Sequence, residues 1–319
     1  MRALVAGHLG GESDEEATST GPFPGGAVLR RGDAGWVLAE EGAERALGGA
    51  LVWARRVGLD AVHVLVESED TAGALARRSA AFRHPPQVWV IEGRVLSCAV
   101  AAPTVAGRAP SEADRALMAL CRAAGADVVV EHEMLVAEVL GLEVGRVVDG
   151  RLDVGVGKHD REAQRLVHGG RPPEESLRAA VAAVQRVRRA DAPAHEMNQL
   201  AQERWLRAVV MARPEMVGAA SLSPLAVPVY RGGLRMAAPA PAAGLDREGR
   251  PVIVVCSTGI DIDLVPTAAD ARLSHDATAR LVLVVPEADD HPVTRDLAGA
   301  LVDPAEVVTV PGDWRRTYP

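Results

Sequence analysis

The sequence predicts an α/β fold of mixed sheets flanked by helices, with a β-α-β-α-β unit at its C-terminal end. Three observations predict it. Apolar runs of strand length and largely β-branched composition (AVHVLVE, QVWVIEG, PVIVVC, RLVLVV, EVVTV) recur along the chain. Between them lie stretches whose apolar residues return at helical spacing. The chain has 319 residues, enough for two or three units with substantial cores, and it is apolar but poor in aromatics, which suits helices packed on strands.

Residues 1–26 mix Gly, Ser, Thr and Pro with the acidic cluster Glu12, Asp14, Glu15 and Glu16, and read as a flexible N-terminal arm. Residues 27–105 form an α/β unit. It opens with a hairpin around Gly32-Asp33. A helix follows whose Ala43, Leu47, Ala50, Leu51, Ala54 and Val57 share one face and which ends at Gly58. A strand (61–67), a helix (71–82) and a strand (87–93) complete an alternating series that implies partly parallel pairing. His63, mid-strand between valines, reads as a packed core histidine. Residues 97–110 read as a linker.

A central unit spans 111–211. Ser111 and Asp114 are placed as N-cap and N3 of a helix that buries Leu117, Leu120, Cys121 and Ala124. Strands follow at 127–131, 134–148 and 151–158, then a helix behind Arg171-Pro172-Pro173 with Leu177, Ala180, Val181 and Val184 inward. Asp149-Gly150 is the strongest hairpin signal in the chain, because a two-residue type I′ turn needs positive φ at both central positions. Pairing Val148 with Arg151 then sets Arg146 opposite Asp153, Gly145 opposite Val154 and Glu143 opposite Val156. By alternation Glu143 and Lys158 point to the core side with Val147, Leu152 and Val154. Lys158 is the only lysine of the chain, and the polar run His159, Asp160, Arg161, Glu162 follows it. An ion pair between Glu143 and Lys158 is the structural reading of these residues.

The order α-β-β-β-α over residues 111–190 resembles the core of PD-(D/E)XK nucleases. In that family an acid on the second strand faces a (D/E)-x-K on the third, and the carboxylates hold a divalent metal beside the lysine. The resemblance covers about a quarter of the chain. It implies Glu143 as the second-strand acid and Lys158 as the lysine, with His159 in the catalytic set. The third-strand acid falls at Val156, which cannot bind metal, so Asp160 or Glu162 would complete a site for Mg2+ or Mn2+ with Glu143. Nucleic acid or a nucleotide would be the partner.

Other features carry two readings each. Glu131, His132 and Glu133 are either cation ligands or the ordinary polar end of a strand. Arg178, Arg186, Arg188, Arg189, Arg204 and Arg207 mark either a face for phosphates or a solvated helix surface. Residues 212–250, rich in Pro, Ala and Gly, read as an extended connection before the Rossmann-like unit at 251–319. At the carboxyl end of its first strand, Ser257, Thr258 and Gly259 are placed to hold an anion, and Asp261 or Asp263 a cation or ribose hydroxyl. A strand-to-helix cap explains the same residues. Cys256 has no adjacent base in the sequence to make it a nucleophile. Gly155-Val156-Gly157-Lys158 lacks the spacing of a P-loop.

The formal charge of −8 counts against a surface built for polyphosphate, although a local patch suffices for a nuclease. Three widely spaced cysteines suit reduced thiols and a cytoplasmic location. No apolar run of spanning length occurs, so no membrane partner is expected. Three functional readings follow: a divergent metal-dependent phosphodiesterase of nuclease type, a non-catalytic interaction or regulatory protein, and a small-molecule or nucleotide-handling enzyme using residues 256–263.

Overall fold

The computed structural model describes residues 1–10, 18–104, 110–131, 134–157, 161, 172–189, 192–193, 195–226 and 237–316. Helix α1 (Arg2–Leu9), β1 (Thr18–Phe23), β2 (Gly26–Arg31) and β3 (Ala34–Ala39) come first, then α2 (Ala46–Val57), β4 (Ala61–Val66), α3 (Glu69–Ser79), β5 (Gln87–Glu92) and β6 (Val95–Cys98). The middle of the chain holds α4 (Glu112–Ala123), β7 (Asp127–Glu131), β8 (Met134–Val139), β9 (Leu142–Val148), β10 (Arg151–Val154), α5 (Pro173–Val187) and α6 (Gln202–Ala212). The last third holds β11 (Ala219–Pro224), β12 (Ala240–Asp246), β13 (Pro251–Cys256), α7 (Leu264–His275), β14 (Arg280–Pro286), α8 (Pro292–Ala300) and β15 (Glu306–Val310). The fold is mixed α/β, as the sequence predicts. No helix among the described residues is long and apolar enough to cross a membrane.

These elements form two units. Met1–Thr104, Asp261–Leu273 and His291–Ala305 make the first, and Val105–Ile260, Ser274–Asp290 and Glu306–Pro319 the second. In the first, β1 to β6 form one sheet in chain order. Pairing is antiparallel where a tight turn joins neighbours and parallel where α2 or α3 intervenes. A Cβ at Gly35 would stand 2.6 Å from the Trp53 ring of α2, so α2 lies on the sheet face that carries Val37 and Val64. Helices α7 and α8 join the same unit. Asp270 of α7 is fully buried and accepts from Arg77 Nε (2.7 Å), Arg77 Nη2 (3.0 Å) and Arg78 Nε (3.0 Å). Leu301, just past α8, forms a β-bridge with Phe82.

The second unit holds an antiparallel meander, β10-β9-β8-β7, and a five-stranded sheet, β11 to β15, whose last two pairings are parallel. One core runs through both, from Leu142 and Val144 to Val254, Val282 and Val310. Helix α6 explains how. It packs on β11, β12 and β13, and every residue from Glu203 to Val210 is buried. Arg204 donates to Glu131 (2.7 Å) and Glu138 (2.5 Å), and Arg207 donates to Glu138 (2.5 Å), so two guanidiniums tie α6 to the meander.

One plan occurs twice. β1 to β5 and β11 to β15 each run antiparallel, antiparallel, parallel, parallel, with a helix in every parallel crossover. The loop after the central strand contains a left-handed glycine in both, Gly42 (φ 62°) and Gly259 (φ 72°).

Several expectations hold in detail. From Val148–Arg151 to Gly145–Val154 the β9–β10 register is the one deduced from Asp149-Gly150, with φ of 49° and 72° at the turn, but the ladder ends there and the expected Glu143–Val156 pair does not form; the capping box of α4 joins Ser111 to Asp114. Others are corrected. Residues 1–26 carry α1 and β1, and residues 212–250 contribute β11 and β12. The 251–319 segment shares its elements between the units, strands with the second and most of its helical residues with the first. The expected strand 134–148 is two strands turning at Leu140-Gly141 (φ 47° and 75°). That turn is buried. A Cβ at Gly141 would stand 2.3 Å from the Arg204 backbone, and Arg188 donates to the Leu140 carbonyl at 2.6 Å. Finally, Arg188, Arg204 and Arg207 belong neither to a phosphate face nor to a solvated surface, since they are 1%, 3% and 2% exposed.

Removing one partner of a buried pair leaves an uncompensated charge. Arg207→Met is expected to cost about 3–5 kcal/mol in urea unfolding. Arg178→Met, which breaks an exposed pair with Glu174 four residues away on α5, is expected to cost at most about 0.5 kcal/mol.

Candidate functional site

The hairpin candidate comes first. A bulge between Ala137 and Glu138 sets Glu138 opposite Glu143, while Asp127 pairs with Glu138 on the other side. Three acids therefore stand in a row across the meander, an arrangement that like-charge repulsion disfavours unless cations intervene. They do. Glu143, 3% exposed, accepts from Arg146 Nε (3.1 Å) and Nη2 (2.9 Å) and from Arg161. Both of its oxygens thus face guanidiniums. Val156 lies past the end of β10 and packs on the core of this unit. Lys158, His159, Asp160 and Glu162 lie outside the described residues, as do His132 and Glu133. Among the described residues no three His, Cys, Asp or Glu side chains are grouped to hold a metal ion.

The loop after β13 is dominated by internal bonds. Thr258 donates to Glu203 (3.2 Å), and the Gly259 amide donates to Asp289 (2.7 Å), so a carboxylate of the chain already takes the amide expected to face an anion. Asp261 accepts from Arg45 (2.7 Å) and from the Asp263 amide (3.0 Å). Asp263 accepts from the Gly48 amide (3.1 Å) and Thr267, and burial pushes its carboxyl up to about 6 although Arg78 pulls it down. These acids fasten the start of α7 to α2, and a Cβ at Gly48 would meet the Ile262 carbonyl at 2.1 Å. Burial also pushes the Cys256 thiol up to about 12, which leaves it protonated and inert. Ser257 brings a buried hydroxyl with no bond to a described residue. The strand-to-helix cap is the reading this geometry favours.

The first unit contains a cavity of about 490 Å3 that the sequence did not announce. Its floor is apolar, with Leu51, Ala54, Leu59, Val62, Phe82 and Leu297. Around the floor stand Arg55, Arg83, His84 and Arg295, with Asp60 and Asp296. The cavity lies beside the amino ends of β4 and β5, not the carboxyl ends where the sequence directs attention. Backbone bonds tie the segment that carries Arg83 and His84 to the end of α8: the Arg83 amide donates to the Ala300 carbonyl (3.0 Å) and the Val302 amide to the Ala81 carbonyl (2.9 Å). Arg55 meets Asp296 at 3.3 Å, but both are about half exposed and the pair is weak. Arg55, Arg83 and Arg295 come from three segments far apart in the chain, so no local motif joins them.

Glu143→Gln should lower stability by about 2–4 kcal/mol, since Arg146 and Arg161 lose their counter-charge. A structural role predicts that Mn2+ raises the melting temperature of neither protein, whereas a metal site predicts a rise in the wild type that the variant lacks. No family model, curated protein or solved structure matches this chain.

Proposed function

We propose that the protein binds a small organic anion in the cavity of its first unit, with the charge held by Arg83, His84 and Arg295 and an apolar body on Leu51, Leu59, Phe82 and Leu297. The observation that carries the reading is the lining itself, where arginines from separate segments converge on an apolar floor of ligand size. Guanidinium forks suit phosphate or carboxylate oxygens. Among the described residues the lining brings one histidine beside its arginines, and a ring of cationic and imidazole donors over apolar side chains suits the binding of an anion. The small-molecule reading of the sequence thus moves from residues 256–263 to this cavity. The nuclease-type reading would require Glu143 to exchange two guanidiniums for a divalent ion.

Phenyl phosphate is the probe of choice, with phenol as its uncharged counterpart. Calorimetry is expected to give a Kd of about 0.1–1 mM for the phosphate and no measurable binding of phenol. Arg83→Ala combined with His84→Ala should weaken binding at least about tenfold, a loss of about 1.4 kcal/mol. Gly299→Trp should abolish it, because Gly299 lines the cavity and has nothing within 4 Å of its Cβ position, so the new side chain fits without backbone strain. Undiminished binding in Gly299→Trp, or none of phenyl phosphate or benzoate in the wild type, would sink the proposal.

A further inference from the structure

One face of the first unit's sheet carries its aromatic residues, and a short helix lies on it. Leu29, Trp36, Leu65 and Leu96 form a buried cluster with Val5 of α1, and Met1, Leu38, Trp89 and Ile91 pack around them. The helix is weakly held. It has eight residues, buries Val5, and has no side-chain cap at its N-terminus; so short a helix depends on its docking. Arg2 reaches Thr20 at a long 3.4 Å. The His8 ring adds edge-on contacts to Trp89 at 4.4 Å and to Trp36 at 5.9 Å.

Beneath α1, the His63 ring stacks on Trp36 at 3.9 Å and 13°, and its Nδ1 accepts from Trp89 Nε1 at 3.1 Å. An indole nitrogen can only donate. The bond therefore exists only while His63 Nδ1 is unprotonated, and an imidazolium would set one N–H against another. Among the described residues of α1 and the six strands, the charged and titratable groups on this face besides His63 are the N-terminal amine, Arg2 and His8 from α1, Arg31 from β2 and Cys98 from β6. By strand alternation no carboxylate of the sheet stands there to offset a charged His63.

We infer that the His63–Trp89 bond is an acid-released latch: charging His63 breaks the bond, repels His8 and frees α1 from the aromatic face. Burial first, and the neighbouring His8 second, hold His63 at about 4 against an ordinary 6.5. The sign follows from linkage. A histidine whose pKa is depressed while the helix is docked supports docking fully above pH 6.5, and that support is lost as pH falls toward 4. Because the ring is partly solvated, the bias is about two- to tenfold per pH unit.

Amide hydrogen exchange of residues 1–10 between pH 7.5 and 4.5, normalised to intrinsic rates, tests the latch. Wild-type protection in α1 should fall at least about tenfold over this range while β3, β4 and β5 keep theirs. His63→Asn retains an acceptor for Trp89 and cannot charge, so it should keep α1 protected throughout. His8→Phe preserves a ring, removes the repulsion, and should lose protection less steeply than the wild type. Protection independent of pH in the wild type, or an equal loss in His63→Asn and His8→Phe, overturns the inference.

Discussion

The second unit depends on the burial of one carboxylate, Glu138, between Arg204 and Arg207 of α6. Burial alone pulls the Arg204 guanidinium down, but Glu138 and Glu131 together outweigh it and hold it above its ordinary range. The pairing is satisfied from several sides, since Arg207 also reaches the Pro241 carbonyl of β12. A single helix thus fixes the meander and the five-stranded sheet around a common core. The energetic logic is asymmetric: the assembled network is worth little more than an apolar isostere, yet losing one member is costly.

The same device recurs in the first unit. Asp270 and Asp263 bring α7 against Arg77, Arg78 and the amino end of α2. All but one of the chain's basic side chains are arginine, and burial gives that bias a physical sense. A guanidinium stays charged in a core and offers its donors in a planar fork, so it can serve two acids at once as Arg204 does. A lysine would more readily lose its proton there.

With Glu138, Asp270 and Glu143 each paired to two arginines, the features open to other molecules lie elsewhere. The 490 Å3 cavity keeps basic groups at a solvent-facing rim over an apolar floor. The aromatic face of the first sheet is held under a helix too short to stand alone. Both are built from residues that lie far apart in the sequence.

The sequence by itself determined the fold class and the local chemistry. Strand and helix periods, the Asp149-Gly150 turn, the capping box at Ser111 and the parallel βαβ crossovers depend on neighbouring residues, and each stands as deduced. Glu143 was legible as an inward charge, but tertiary structure alone decided that Glu138, Arg188, Arg204 and Arg207 face inward. The Leu140-Gly141 turn has only Gly141 as local turn chemistry, and the positive φ of Leu140 goes with Arg188 and Arg204 packed over the turn. Without that turn Glu138 cannot be seen opposite Glu143, and the arginines of α6 read as surface. The cavity was hidden for the same reason: Arg55, Arg83 and Arg295 meet only once α8 returns to a unit begun two hundred residues earlier, and no local pattern encodes a contact made at that separation.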